Sequence, residues 1–184
     1  ESREGAEAFP NPVKMGQVLE WAERFRARRP ALAWASLTGG EPLEQPAFAA
    51  ALARGLKRKG WKVYLETAGL HPGRLRRAAP SLDFVSMDWK LGMPGAPRLH
   101  RAFLKAMGQL PGQVKAVVTS QTRPEDVAEA ARTVSGIRPD LPFILQRVTP
   151  IGRLLPPEPA RLELLAAAAG GVKDLRLLGQ AHRS

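Results

Sequence analysis

The 184-residue chain has the size of one domain, and its 44% apolar and 24% charged residues are those of a globular protein. It contains no cysteine, which excludes a disulfide scaffold, a cysteine nucleophile, a cysteine-bound zinc and, at face value, a cysteine-ligated iron–sulfur cluster. The net charge of +11 suits an anionic partner such as nucleic acid, phosphate or a membrane surface.

Along the chain the apolar period switches repeatedly. Val18, Leu19, Trp21, Ala22 and Phe25 recur at helical spacing, and Pro30 ends that helix. Ala31–Leu37 reads as a buried strand. Ala47–Lys59 is helical, with Gly60 placed to close it. Trp61–Leu65 is the next strand, and a short helix covers Pro72–Ala79. Leu82–Met87 is strand-like, and Pro97 opens a helix to Met107. After the strand Val114–Val118, Thr122 offers an N-cap for a helix to Val134, with Pro124, Glu125 and Asp126 in its first turn. Phe143–Leu145 is a strand, Pro159–Ala169 a helix and Leu175–Leu178 the last strand. Gly92–Pro97 and Ile151–Pro159 are the loosest stretches.

Strands that alternate with helices imply βα units and a parallel sheet, here within one domain over residues 1–184. The strands read as continuous apolar runs, as in a sheet covered by helices. Ligands of such sheets bind at the carboxyl ends of the strands, so the polar loop residues there carry the chemistry.

The basic runs Arg26, Arg28, Arg29, then Lys57, Arg58, Lys59, then Arg74, Arg76, Arg77 lie late in predicted helices or beside them. Cations there complement the negative end of the helix dipole. With 6% aromatics there is little material for base stacking, so a nucleic-acid surface is the lesser reading. No apolar stretch approaches the length that spans a bilayer, and Glu1–Gly5 is unlike a signal peptide, so a cytoplasmic location is expected.

Three loops stand out. Thr38-Gly39-Gly40-Glu41-Pro42 follows a strand; its glycines let the backbone approach a ligand, and Glu41 could accept from a ligand ammonium. The alternative is an ordinary tight turn. Glu66-Thr67-Ala68-Gly69 and Ser86-Met87-Asp88-Trp89-Lys90 follow the next two strands. Glu41, Glu66 and Asp88 thus gather at one rim, suited to a cation or ammonium, and Lys90 suits a ligand carboxylate. The alternative there is a structural Asp88–Lys90 ion pair. Gln146 and Arg147 end a later strand, and Gln180 and His182 follow the last one. Of the three histidines, His71 and His100 read as surface residues, and no two are spaced as a metal pair. No nucleophile elbow is present.

The segments Ser36–Gln45, with Thr38-Gly39-Gly40-Glu41-Pro42, then Leu65–Gly69 and Val85–Lys90, resemble those of radical S-adenosylmethionine enzymes. Phe143–Pro150 and Leu178–Arg183 are similar to segments of the 7-carboxy-7-deazaguanine synthase-like members. The resemblance runs from about residue 13 to 183. It implies an incomplete, partial TIM-like βα barrel of parallel strands, short of its first strand. It implies two cofactors, S-adenosylmethionine and a 4Fe–4S cluster, and ring contraction of 6-carboxy-5,6,7,8-tetrahydropterin on the way to queuosine. By resemblance Gly39, Gly40, Glu41, Pro42, Ser86, Lys90 and Gln146 bind the cofactor. Thr38, Gln180 and His182 meet the substrate, and Glu66, Thr67 and Asp88 match positions that ligate Mg2+ or a monovalent cation. The implied partners are a pterin-like small molecule, an electron donor such as flavodoxin or ferredoxin, and a second copy at the open sheet edge.

The family binds its cluster through three cysteines ahead of the first helix, and this chain has none. The resemblance therefore implies the C-terminal majority of a longer enzyme, inactive on its own in radical chemistry. A naturally cluster-less relative is the alternative. Two rival functions are an activase for a glycyl-radical enzyme and a non-catalytic basic binding module.

Overall fold

Proline stands in the first turn of five helices, where its missing N–H would have had no partner anyway. In the computed structural model, which describes residues 12–179, these are α2 (Pro46–Arg58), α3 (Pro72–Ala78), α4 (Ala96–Met107), α5 (Pro124–Ile137) and α6 (Pro159–Ala168). They follow α1 (Met15–Arg28). Between them lie β1 (Trp34–Leu37), β2 (Lys62–Thr67), β3 (Phe84–Trp89), β4 (Gly112–Val118), β5 (Phe143–Arg147) and β6 (Leu175–Leu178).

All neighbouring strands are parallel and follow one another in chain order. Right-handed crossovers in that order put every helix on one face, and each helix touches the next. The result is the arc of a partial βα barrel, with β1 and β6 as its edges.

Because helices cover one face only, the strands alternate, contrary to the continuous burial read from their apolar runs. Val63, Leu65, Val85, Met87, Val114 and Ala116 are fully buried against the helices. The intervening positions, such as Tyr64, Glu66, Gln113 and Lys115, are half-buried on the concave inner face. At its amino-terminal end Tyr64 stacks on Phe84 with centroids 5.4 Å apart, and Trp34 meets Phe84 edge-on. The polar residues lie above them, toward the carboxyl ends.

Gly60 closes α2 as expected: its N–H donates to the Lys57 carbonyl and the Trp61 N–H to the Leu56 carbonyl. Other boundaries differ from the expected ones. Thr122 does not cap α5; its hydroxyl accepts from the Thr119 N–H, and Arg123 takes the cap position. β1 starts at Trp34 rather than Ala31, and β3 runs from Phe84 to Trp89 because Asp83 is fastened beside β2. Its N–H donates to the Val63 carbonyl and its carboxylate accepts from the Val63 N–H at 2.7 Å. Glu66 and Thr67 belong to β2 rather than to the loop after it.

Gly112 lets β4 approach β3 closely, since a Cβ there would lie 2.4 Å from the Val85 carbonyl oxygen. Buried Arg138 ties the loop before β5 to the turn before β4. Its guanidinium donates to the Gly108 and Leu110 carbonyls and forks onto Asp140. Arg138→Leu should strand both carbonyls and lower stability by about 2 kcal/mol, read as a fall in the urea midpoint at unchanged m-value.

Candidate functional site

The loop after β1 turns on Gly39 and Gly40, at φ of +84° and +54°, and open space surrounds the position of a Cβ on each. Both residues are exposed. Glu41 does the opposite. One carboxylate oxygen accepts from the Leu43 N–H and, at 2.8 Å, from the Thr67 hydroxyl; the other accepts from the Ala68 N–H at 2.7 Å. Glu41 thus fastens the first loop to the second. The Glu41 and Pro42 carbonyls are engaged as well, accepting from the Glu44 and Gln45 N–H groups.

The Ala68 peptide is gripped from behind as well. His100, on α4, has its Nε2 3.1 Å from the Ala68 carbonyl oxygen and packs its ring on Trp89 at 4.6 Å. It is fully buried, a correction to its reading as a surface residue. Burial, only partly opposed by the Ala68 hydrogen bond and the charge of Asp88, lowers its pKa from 6.5 to about 4, so Nε2–H of a neutral ring is the donor. His71 lies nearer the surface and meets Glu44 at 2.7 Å.

On the inner face, Glu66 accepts from the Thr38 hydroxyl at 3.0 Å and from the Lys115 ammonium at 2.8 Å. The Lys115 hydrogen bond holds the Glu66 carboxyl below its usual range, against the opposing effect of burial. Burial alone would pull Lys115 down, but the Glu66 hydrogen bond and the fields of Glu66 and Asp88 outweigh it, so its pKa is raised. Asp88 and Lys90 form an ion pair through Oδ2, the alternative reading of this loop, while Asp88 Oδ1 is buried with no hydrogen-bond partner.

The structure thus brings together Thr38, Glu66, Asp88 and Lys90 at one rim, beside Gly39 and Gly40. Pro42 opens a short 3-10 turn, Pro42–Glu44, behind it. Gln146 is half-buried on β5, beside Val117 on β4. Ser86 is buried lower on the inner face and accepts from the Gln113 side chain at 3.1 Å, so it supports the site from below. Thr67 is turned to the helix side, where its hydroxyl serves Glu41 and the Gly69 N–H. The structure therefore does not bring the Glu66, Thr67 and Asp88 side chains to one point, and among the described residues no three His, Cys, Asp or Glu form a metal centre. Gln180 and His182 lie outside the described residues.

Sequence reasoning missed Lys115 and Gln113. The alternation Gln113-Val114-Lys115-Ala116-Val117 carried the signal, since a period of two places both polar side chains on the face opposite the apolar ones. The basic runs do end helices: Arg26 and Arg28 close α1, Lys57 and Arg58 close α2, Arg76 and Arg77 close α3. Among the described residues no helix is long and apolar enough to cross a membrane. Beside β1, between α1 and α2, an apolar groove of about 620 Å³ runs past Phe25, Trp34 and Phe48 up to Gly39.

No family model matches the chain. A 7-carboxy-7-deazaguanine synthase from Geobacter sulfurreducens is 31% identical over 179 residues, covering 94% of this chain and 71% of the relative. An isethionate sulfite-lyase activating enzyme from Desulfovibrio desulfuricans is 43% identical over 56 residues, covering 30% of this chain and 18% of that protein. Among solved structures, a radical SAM methyltransferase from Sphaerobacter thermophilus superposes with a TM-score of 0.65 at 16% identity, over 92% of this chain; the chain spans 57% of its length. That likeness confirms the partial-barrel fold. The similarity to the synthase extends over nearly the whole chain, and by it the chain belongs to the 7-carboxy-7-deazaguanine synthase family.

Proposed function

We propose that this chain binds S-adenosylmethionine and a pterin-like acid at the carboxyl rim of its sheet. It would do so as the body of an enzyme that contracts 6-carboxy-5,6,7,8-tetrahydropterin to 7-carboxy-7-deazaguanine. What carries the reading is the rim itself, found in a chain 31% identical to such a synthase. The residues present fit S-adenosylmethionine. Gly39 and Gly40 are exposed, so their backbone can meet a ligand ammonium, and the unpartnered Asp88 Oδ1 awaits a donor. Lys90, half-exposed beside it, suits a carboxylate. The residues do not fit an iron–sulfur cluster, because the 184 residues hold no thiol.

Bound S-adenosylmethionine would supply hydrogen-atom abstraction only when given an electron by a cluster held outside these 184 residues. This chain's own residues bind and orient. Glu41 and His100 fix the Ala68 peptide, and with it the distance between the first two loops. Thr38, held by Glu66, and Gln146 face the inner space where a flat heterocycle would lie. Lys90 and the Gly39–Gly40 peptides hold the methionyl end.

Calorimetric titration of S-adenosylmethionine into the chain tests the cofactor site. Saturable binding is expected, and Lys90→Ala should weaken it at least roughly tenfold, or about 1.4 kcal/mol. Absence of saturable heat in the wild type would overturn it. For the reaction, a complete enzyme carrying its cluster should release the deazaguanine acid, detected by mass. The 56-residue similarity to the activating enzyme favours one other reading, activation of a glycyl-radical enzyme. A glycyl radical raised on a partner protein, with no deazaguanine formed, would establish that reading instead.

A further inference from the structure

Glu66 and Asp88 are the two carboxylates that the family resemblance assigns to a cation. In this structure each is already met by an ammonium of the chain. Lys90 pairs with Asp88 Oδ2, and Lys115 Nζ lies 2.8 Å from Glu66 Oε1. The path of Lys115 is informative. It stands on β4, laterally paired with Asp88 on β3, yet its hydrogen bond is to Glu66, one strand farther on. Its four-carbon stem therefore crosses over β3, and its head group sits in the fields of both carboxylates. That side chain is 19% exposed. The other Glu66 oxygen is taken by the Thr38 hydroxyl, and Thr67, the remaining expected ligand, points its hydroxyl to the opposite face of the sheet. A hard cation wants several oxygen ligands converging at one point, and in this cluster both Glu66 oxygens already accept a hydrogen bond while Asp88 offers one unpartnered oxygen, Oδ1.

We propose that Lys115 is the resident counter-cation of this rim, standing where a metal ion would otherwise bridge Glu66 and Asp88. Two ammoniums against two carboxylates leave this cluster neutral without a metal. The cost of desolvating the acids is met inside the chain, and Glu66 is held in the orientation that accepts from Thr38. Lys115 is thus a positioning residue, acting through Glu66 and not through contact with a reacting atom. The idea stands apart from the reaction proposed above, because its test needs no turnover.

The test follows the melting temperature of the full chain while Mg2+, K+ or Na+ replaces choline at constant ionic strength. The wild type should show no saturable response. Lys115→Ala leaves two carboxylates sharing the single charge of Lys90, and should acquire a saturable cation-dependent rise of roughly 3 °C or more. Lys115→Arg, which keeps the charge, should remain unresponsive. A saturable response in the wild type, or a folded Lys115→Ala protein that ignores every cation, would overturn the proposal. If Lys115→Ala does not fold, the double variant Glu66→Gln/Lys115→Ala decides. Recovery of folding supports the charge role, and continued failure overturns it in favour of packing.

Discussion

Replacing Glu41 by glutamine is expected to lower stability by about 3 kcal/mol and Tm by roughly 6–12 °C. The carboxylate accepts three hydrogen bonds, from the Leu43 N–H, the Thr67 hydroxyl and the Ala68 N–H. An amide presents its own N–H2 to at least one of those donors, so that one bond becomes a donor–donor conflict and the rest lose their charge assistance. Chemical denaturation measures the effect. Glu44, exposed between His71 and Arg74, is the control, and Glu44→Gln should leave the denaturation midpoint essentially unchanged. A double-mutant cycle with Thr67→Val should return a coupling of at least about 1 kcal/mol. A Glu41→Gln protein as stable as the control would show that the two loops are held apart from this carboxylate. Since the same contact sets the spacing of the Gly39–Gly40 peptides from β2, cofactor affinity should fall together with stability.

The second large effect is on pH dependence. His100 is neutral when folded, with its pKa lowered to about 4 chiefly by burial, against about 6.5 when unfolded. Between these values the unfolded chain binds a proton that the folded chain refuses. The stabilisation is therefore complete above about pH 6.5 and is lost as pH falls through that window toward 4, by about 3 kcal/mol in all. His100→Gln can still donate to the Ala68 carbonyl but does not titrate. Its stability should be nearly flat between pH 6.5 and 4.5, while the wild type declines. Parallel curves for the two proteins would place the titration elsewhere.

Much of the fold was legible because its signals are local. Prolines at helix starts, Gly60 at a helix end and apolar runs of strand length each act within a few residues. The rim was legible where motif residues sit next to one another, as Asp88 and Lys90 do. It was not legible where distance in sequence hid contact in space. Lys115 meets a carboxylate 49 positions away, and His100 is buried only because α4 folds back onto the end of β2. Helix coverage was also misjudged. An apolar run does not show whether helices cover one face or two, and the polar members of β4 decide that only once their alternation is noticed. Thr122 follows the N-cap rule in composition, but its hydroxyl was claimed by the nearer Thr119 N–H.

The order of the strands has a consequence for biosynthesis. Each strand pairs with the one made just before it, and each helix packs on its predecessor. A chain leaving the ribosome can therefore add one βα unit at a time to a surface already in place, with no strand waiting for a distant partner. The edge that moves is the newest strand's, while the β1 edge stays where it was first laid down. Synthesis pauses are best tolerated after a helix has closed over its strand, and most hazardous between a strand and the helix that follows it.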